Sequence, residues 1–356
     1  MVYVQQLSQL DKGQVDRVGG KNANLGEMIR SGIRVPPGFA VTVDGYRRFV
    51  EHTGIGEEIE RVLAAVDVQD ADGLDQKCGE IRDLFRVSDV PEEMADEIYA
   101  SYESLCRSCG QESVPVAARS SATSEDLPDA SFAGQQDTYL WVMGAESVLE
   151  HMLRCWASLF TARAVSYRIR QSFPHDKSWI SVGVQKMVNS KVAGVMFTLD
   201  PSTGDPSQVV LEGNWGLGET VAAGEVTPDY YRIDKVSGEI NEERIGHKHI
   251  ECVPDPERGR ANTVPVDADR MDAPCLEREE LEELVRIARR IEDHYGSGQD
   301  IEWAIDRDLP FPENVFVVQT RPETVWSNKK VEPLLSRKSS SELLVGRALK
   351  TIHVGS

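Results

Sequence analysis

One stretch near the start of the chain limits the fold more than any other. Residues 20–34 carry small and apolar side chains at helical spacing (Leu25, Met28, Ile29), stop at Gly32, and pass through Val35-Pro36-Pro37-Gly38-Phe39 into Ala40-Val41-Thr42-Val43. Two prolines and a glycine end a helix, and the β-branched run after them predicts a strand. A helix that feeds directly into a strand needs a core that packs both kinds of element.

The rest of the chain alternates in the same way. From Asp44 to about Cys109 apolar residues recur at 3.6-residue spacing (Ile59, Val62, Leu63, Val66; Met94, Ile98, Tyr102, Leu105), which predicts a helical insert at about 44–110. Val114 to Arg119 reads as a strand entering a Ser/Thr-rich turn. The glycine-containing turn Ser131 to Asp137 precedes a further strand, Thr138 to Val142. Residues 146–171 are helical in pattern, and 179–188, 192–199 and 208–212 are short β-branched segments that suit a mixed sheet. A helix is expected at 277–295, with Arg289 and Arg290 late in it as the helix dipole prefers. Residues 299–306 and 315–322 read as a β-hairpin, and the Lys- and Ser-rich stretch 327–342 as a linker.

Charge then excludes several functions. With 59 acidic against 39 basic residues the net charge is −20, so no broad basic face exists for nucleic acid or anionic lipid. An anionic ligand must be held locally by a few convergent cations. The N-terminal segment has neither a signal-peptide nor a transit-peptide pattern, and no apolar run approaches the ~20 residues of a membrane helix. The chain reads as cytoplasmic. Its six cysteines are spread thinly and read as free thiols. Cys106-Arg-Ser-Cys109 is a lone CxxC without the second pair a zinc site needs.

Three settings could hold phosphate. Gly19-Gly20-Lys21 places a lysine at a helix start, where backbone N–H groups and an ammonium converge; taken singly, it also fits a plain turn. Arg119 ends a strand before Ser120-Ser121-Ala122-Thr123, and the Ser131-Phe132-Ala133-Gly134-Gln135 turn lets backbone amides approach phosphate oxygens; alone, these also fit a surface salt bridge and a simple hairpin. Glu302, Gln319 and Arg321 alternate on neighbouring strands and project to one side: two oxygen ligands suited to Mg²⁺ beside a cation, or else a cross-strand Glu302–Arg321 salt bridge. Gln185-Lys186-Met187-Val188 lies between two predicted strands, and Asn214-Trp215-Gly216-Leu217-Gly218-Glu219 is a short glycine loop.

Taken in order, these motifs resemble the ATP-binding N-terminal region of the phosphoenolpyruvate synthase (pyruvate, water dikinase) family. The resemblance rests on Gly19 to Glu27, Val35 to Phe39, Arg119 to Thr123, Asp126 to Gln135, Ser158 to Thr161, Gly194 to Thr198 and Gln319 to Thr324. It implies an α+β fold of ATP-grasp type, two lobes clamping ATP with a helical insert in the first lobe. The lobes would be 1–190 and 191–326, with 327–356 a linker toward a swivelling phosphohistidine domain. It implies that Lys21, Arg119 and Arg321 bind phosphate, that Glu302 and Gln319 hold Mg²⁺, and that Gln185, Met187 and Val188 face adenine. Ser131, Ala133, Gly134 and Gln135 would close over the phosphates, and Glu219 would contact ATP.

Members of this family transfer the β-phosphoryl of ATP to a histidine by way of a pyrophosphorylated histidine, releasing AMP and Pi. None of the seven histidines here (52, 151, 175, 247, 249, 294, 353) stands in the family's Thr-x-His context. The resemblance therefore implies a histidine on a partner chain or a further domain, and a small-molecule acceptor bound elsewhere. That arrangement is similar to the nucleotide-binding subunit of phenylphosphate synthase. An N-terminal fragment of phosphoenolpyruvate synthase, rifampicin phosphotransferase and a nucleotide-binding regulatory module without catalysis are the alternatives. His247 and His249 flank Lys248 in an expected strand, as a metal pair or a solvated face.

Overall fold

The computed structural model describes residues 2–123, 126–127, 130–131, 137–175 and 178–326, with 126–127 and 130–131 given by backbone alone. The expected linker at 327–356 lies outside the described residues. The chain enters through β1 (Val4–Gln6) and α1 (Val15–Arg30) into β2 (Gly38–Val41). The insert is helical as expected: α2 (Val43–Thr53), α3 (Ile55–Ala64), α4 (Ala71–Val87) and α5 (Glu92–Cys109). Next come β3 (Val116–Ala122), the short β4 (Asp126–Leu127) and β5 (Ala130–Ser131), then β6 (Thr138–Val142). Helices α6 (Ala145–Ala157) and α7 (Ala162–Arg170) lead to β7 (Ile180–Lys186), which closes a sheet of order β1-β2-β7-β3-β6.

After three connecting residues a second sheet begins. It is built from β8 (Ser190–Phe197), β9 (Gln208–Trp215), β10 (Asp229–Asp234), β11 (Ile240–Arg244), β14 (Gln299–Asp306) and β15 (Val315–Pro322), in the order β11-β10-β9-β8-β14-β15. The helix α8 (Glu219–Ala222) follows β9, the hairpin of β12 (Ile250–Asp255) and β13 (Arg260–Pro265) stands apart, and α9 (Arg278–Tyr295) precedes β14.

The expected mixed sheet is corrected: every strand pair among the described residues is antiparallel. Short links such as 187–189 between β7 and β8 cannot make the long crossover that a parallel pair requires. Three further expectations shift. Gln185 and Lys186 belong to β7, Asn214 and Trp215 to β9, and His247 to His249 lie in an irregular segment after β11.

Two cores result. Phe39, Phe49, Phe85 and Trp156 fill the first, between the helical insert and the first sheet; all four are fully enclosed. Tyr46 meets Trp156 edge-on at 5.7 Å. The second core joins Leu284, Ile291 and Trp303 to Leu25 and Met28 of α1, so the first helix of the chain packs against the second sheet. Truncating Trp156 or Trp303 to alanine would cost about 3–5 kcal/mol. Helix α9 opens with a reciprocal cap between Glu277 and Glu280 and ends at Gly296 in the left-handed region. All six cysteines are free thiols, and no described helix is long and apolar enough to cross a membrane.

Candidate active site

The site is assembled around a break in α1. Gly19 has φ +72°, and a Cβ there would sit 2.2 Å from the Ser121 carbonyl oxygen, so only glycine fits. The helix is interrupted and restarts beside β3, as the Gly19-Gly20-Lys21 setting predicts. Asn22 stitches the restart in place: its N–H donates to Ser121 Oγ at 3.3 Å, and its side-chain amide donates to Val18 O (3.0 Å) and Ser181 Oγ (3.1 Å). Lys21 then reaches over the strand, and its Nζ donates to Ser120 O at 3.2 Å.

Arg119 crosses from the first sheet to the second. Its Nη1 donates to Val318 O at 3.2 Å and lies 3.5 Å from Glu302 Oε2, while its buried Nε has no hydrogen-bond partner among the described residues. A buried guanidinium N–H without an acceptor is a donor held ready for an anion. Glu302 stands directly opposite Gln319 across the β14–β15 pair. The register continues through Val195 on β8 to Glu212 on β9, so one row crosses the sheet on the cavity side. Burial raises the Glu212 carboxyl above its ordinary range.

The alternative reading, a Glu302–Arg321 bridge, finds a different partner for the arginine. Arg321 pairs with Asp300, with Nε and Nη2 at 2.8 and 2.7 Å from Oδ2. Asp300 and Arg321 are direct cross-strand partners, so they meet at shorter range than the diagonal pair. Burial raises the Asp300 carboxyl despite the arginine beside it. The Asp300-x-Glu302 spacing puts Asp300 on the same face as Glu302, and the register makes it the partner of Arg321.

Lys21, Arg119, Gln185, Met187, Val188, Glu219, Glu302, Gln319 and Arg321 all line one cavity of about 540 Å³. That is the size of a small-ligand pocket. Ala117, Met187 and Leu217 form an apolar cluster in its lining, and Lys21, Arg119, Lys186 and Arg321 are its lining cations. Gln185 is buried and its amide donates to Pro36 O at 3.5 Å; Met187 N–H donates to Pro115 O at 2.8 Å, which fixes the connection between the sheets. Glu219 accepts a long contact from Cys252 Sγ at 3.7 Å, and burial beside that carboxylate pushes the thiol up to about 12. Ser131 is described only as backbone paired with Asp126, and Ala133, Gly134 and Gln135 lie outside the described residues.

Residues 15–342 match the family model described as pyruvate phosphate dikinase, AMP/ATP-binding domain. The chain belongs to that family. Three similar proteins agree. A "probable phosphoenolpyruvate synthase" of Staphylothermus marinus is 48% identical over 358 residues, covering 95% of this chain and 43% of the relative. A protein of the same description in Methanothermobacter thermautotrophicus is 45% identical, covering 96% and 48%. The "phosphoenolpyruvate synthase" of Pyrococcus furiosus is 41% identical, covering 96% and 46%. The chain thus spans less than half the length of each.

The cavity's lining combines the cations Lys21, Arg119, Lys186 and Arg321 with the carboxylates of Glu219 and Glu302 and the amides of Gln185 and Gln319. No cluster of three or more His, Cys, Asp or Glu side chains able to hold a metal occurs among the described residues. Glu302 and Gln319 offer two oxygens. Mg²⁺ would complete its shell from phosphate and water, as it commonly does with few protein ligands. His247 donates to no such site; its Nδ1 is 2.9 Å from Asp272 Oδ1 at the surface.

Proposed function

We propose that this chain is the nucleotide-loading part of a dikinase of the EC 2.7.9 type, with the two sheets acting as ATP-grasp lobes that close on Mg-ATP. The observation that carries the reading is the convergence of Lys21, Arg119 and Arg321 with Glu302 and Gln319 around one cavity. In a chain of net charge −20, several cations lining one half-apolar cavity suit a polyphosphate attached to an aromatic base.

Phosphoryl transfer needs charge neutralisation and alignment more than proton transfer. Lys21 and Arg119 would hold phosphate oxygens from the first sheet, and Arg321 from the second. Asp300 keeps the Arg321 guanidinium in place. Glu302, now beside Arg119, and Gln319 would hold Mg²⁺, which supplies charge neutralisation at the bridging phosphates. Met187 and Val188 would face the base, and Glu219 the rest of the nucleoside. A histidine nitrogen supplied by a partner chain or a further domain would attack the β-phosphorus and take the pyrophosphoryl group as AMP leaves, and water would then remove the γ-phosphoryl as Pi, leaving the β-phosphoryl on the histidine.

Two versions of this reading fit the relatives about equally: a separate nucleotide-binding subunit, or a part of a phosphoenolpyruvate synthase, of whose length the chain covers less than half. The separate-subunit arrangement of phenylphosphate synthase uses the same site. The test is to mix the chain with β-labelled ATP, Mg²⁺ and the separately prepared remainder of the Pyrococcus furiosus relative. Acid-labile label on that remainder, with AMP formed in step, supports the reading. Label retained in ATP, with both proteins folded, counts against it.

A further inference from the structure

Strand β6 breaks its own alternation. Thr138 and Leu140 line the cavity, while Tyr139 packs against the first core. A regular strand would return residue 141 to the side of Tyr139. Trp141 instead has φ +63° and joins Ala117, Met187, Leu217 and Cys252, and Val142 takes the place in the first core. The pairing shows how: Val116 faces Val142 and Ala118 faces Tyr139, so Leu140 and Trp141 together oppose Ala117 in a β-bulge.

The left-handed position of such a bulge is normally glycine, and a bulky side chain there is a true outlier. Strain of this kind persists where the surroundings over-determine it. Here those surroundings are the cavity's apolar cluster. The indole is 7% exposed, its Nε1 has no hydrogen-bond partner among the described residues, and it lies behind three residues that line the cavity: Ala117, Met187 and Leu217. It also links the first sheet to the β12–β13 hairpin through Cys252. That approach is possible because Gly216 lets the Cys252 carbonyl within 2.2 Å of where a Cβ would stand.

We infer that Trp141 is a positioning residue for the nucleobase: the bulge turns its indole toward the cavity to hold the Met187 and Leu217 walls at the width of a purine. The inference rests on the nucleotide reading above. It separates base recognition, set by Trp141, from phosphate recognition, set by Lys21, Arg119 and Arg321.

The experiment is calorimetric titration of wild type, Trp141→Asn and Trp141→Phe with Mg-ATP and with inorganic tripolyphosphate, which has phosphates but no base. Asparagine accepts the left-handed backbone, so Trp141→Asn removes the indole without adding backbone strain. The expected result is a roughly tenfold or greater loss of ATP affinity in Trp141→Asn, unchanged tripolyphosphate affinity, and recovery of most ATP affinity in Trp141→Phe. Should Trp141→Asn not fold, Trp141→Leu takes its place with the same split expected. Unchanged ATP affinity, or equal loss for both ligands, overturns the inference. A wild-type chain that binds tripolyphosphate but gains nothing from the base of ATP contradicts the nucleotide reading itself.

Discussion

Arg119 Nη1 lies 3.5 Å from Glu302 Oε2, and this contact joins the first sheet to the second across the cavity. Both side chains keep partial access to solvent, 18% and 34%, so the pair contributes at most about 1 kcal/mol to stability. On the proposed reading each group would be held by the other until phosphate or metal competes for it.

Replacing Arg119 with alanine should therefore leave the melting temperature almost unchanged while weakening Mg-ATP binding by about 1.5–3 kcal/mol, a loss of roughly 10- to 150-fold. Calorimetric titration checks the affinity and a thermal melt checks the fold. Equal ATP affinity in the variant would remove Arg119 from the site.

Glu302→Gln should act through the metal. The variant keeps an oxygen ligand but loses its charge, so the gain in nucleotide affinity on adding Mg²⁺ should shrink in Glu302→Gln and, more weakly, in Gln319→Ala. Affinity for ATP in the presence of a chelator should be little altered. The same Mg²⁺ dependence in Glu302→Gln as in wild type would mean that the ion is held elsewhere.

Asp300 predicts a pH effect with a definite sign. Burial raises its carboxyl even beside Arg321, so the folded chain binds this proton more tightly than the unfolded chain does. Its contribution to stability is present in acid and is lost as pH rises from the ordinary aspartate range through the raised value. Asp300→Asn removes the titration, so its melting temperature relative to wild type should climb across that interval. A difference that stays constant with pH would show that Asp300 is not perturbed.

Gly19→Ala tests the break in α1. The new Cβ would meet the Ser121 carbonyl at 2.2 Å, on a residue whose φ is +72°. A destabilisation on the order of 3 kcal/mol is expected, visible as a drop of several degrees in the melt. Gly20→Ala, which keeps an ordinary helical backbone, should be milder. A harmless Gly19→Ala would mean that the helix restart does not need this conformation.

The second core contains an ion pair that is fully enclosed. Lys248 Nζ donates to Asp229 Oδ1 at 2.5 Å with both side chains 0% exposed, and Asp229 also accepts from the Gly246 and Cys275 N–H groups. Lys248→Met should cost about 3–5 kcal/mol, because it strands a buried carboxylate. Lys248→Met combined with Asp229→Asn should cost less than Lys248→Met alone. Additive losses in that double variant would contradict the coupling.

Much of this arrangement was legible in residue order. The period-two alternation of 299–306 and 315–322 put Glu302, Gln319 and Arg321 on one face, and the register confirms that Glu302 faces Gln319. The helix-to-strand passage through Pro36 and Pro37 was readable because proline permits few backbone conformations. Other features had no local signal. The Arg119–Glu302 contact depends on how two sheets meet. The Arg321–Asp300 pairing depends on register, which motif spacing does not carry. Strands β10 to β13 carry little individual signal, since segments such as Asp229-Tyr-Tyr-Arg-Ile-Asp mix charge with β-formers over few residues. The bulge at Trp141 was invisible because its signature residue, glycine, is absent.

The most direct test of the central claim is to incubate the purified chain alone with Mg-ATP, following nucleotides by chromatography, the chain by intact mass and its melting temperature in parallel. On the proposed reading, in which the cavity loads nucleotide and a partner chain or further domain supplies the acceptor histidine, a raised melting temperature with ATP and mass unchanged is expected. AMP appearing together with a phosphorylated chain, or no thermal shift at all, would contradict it.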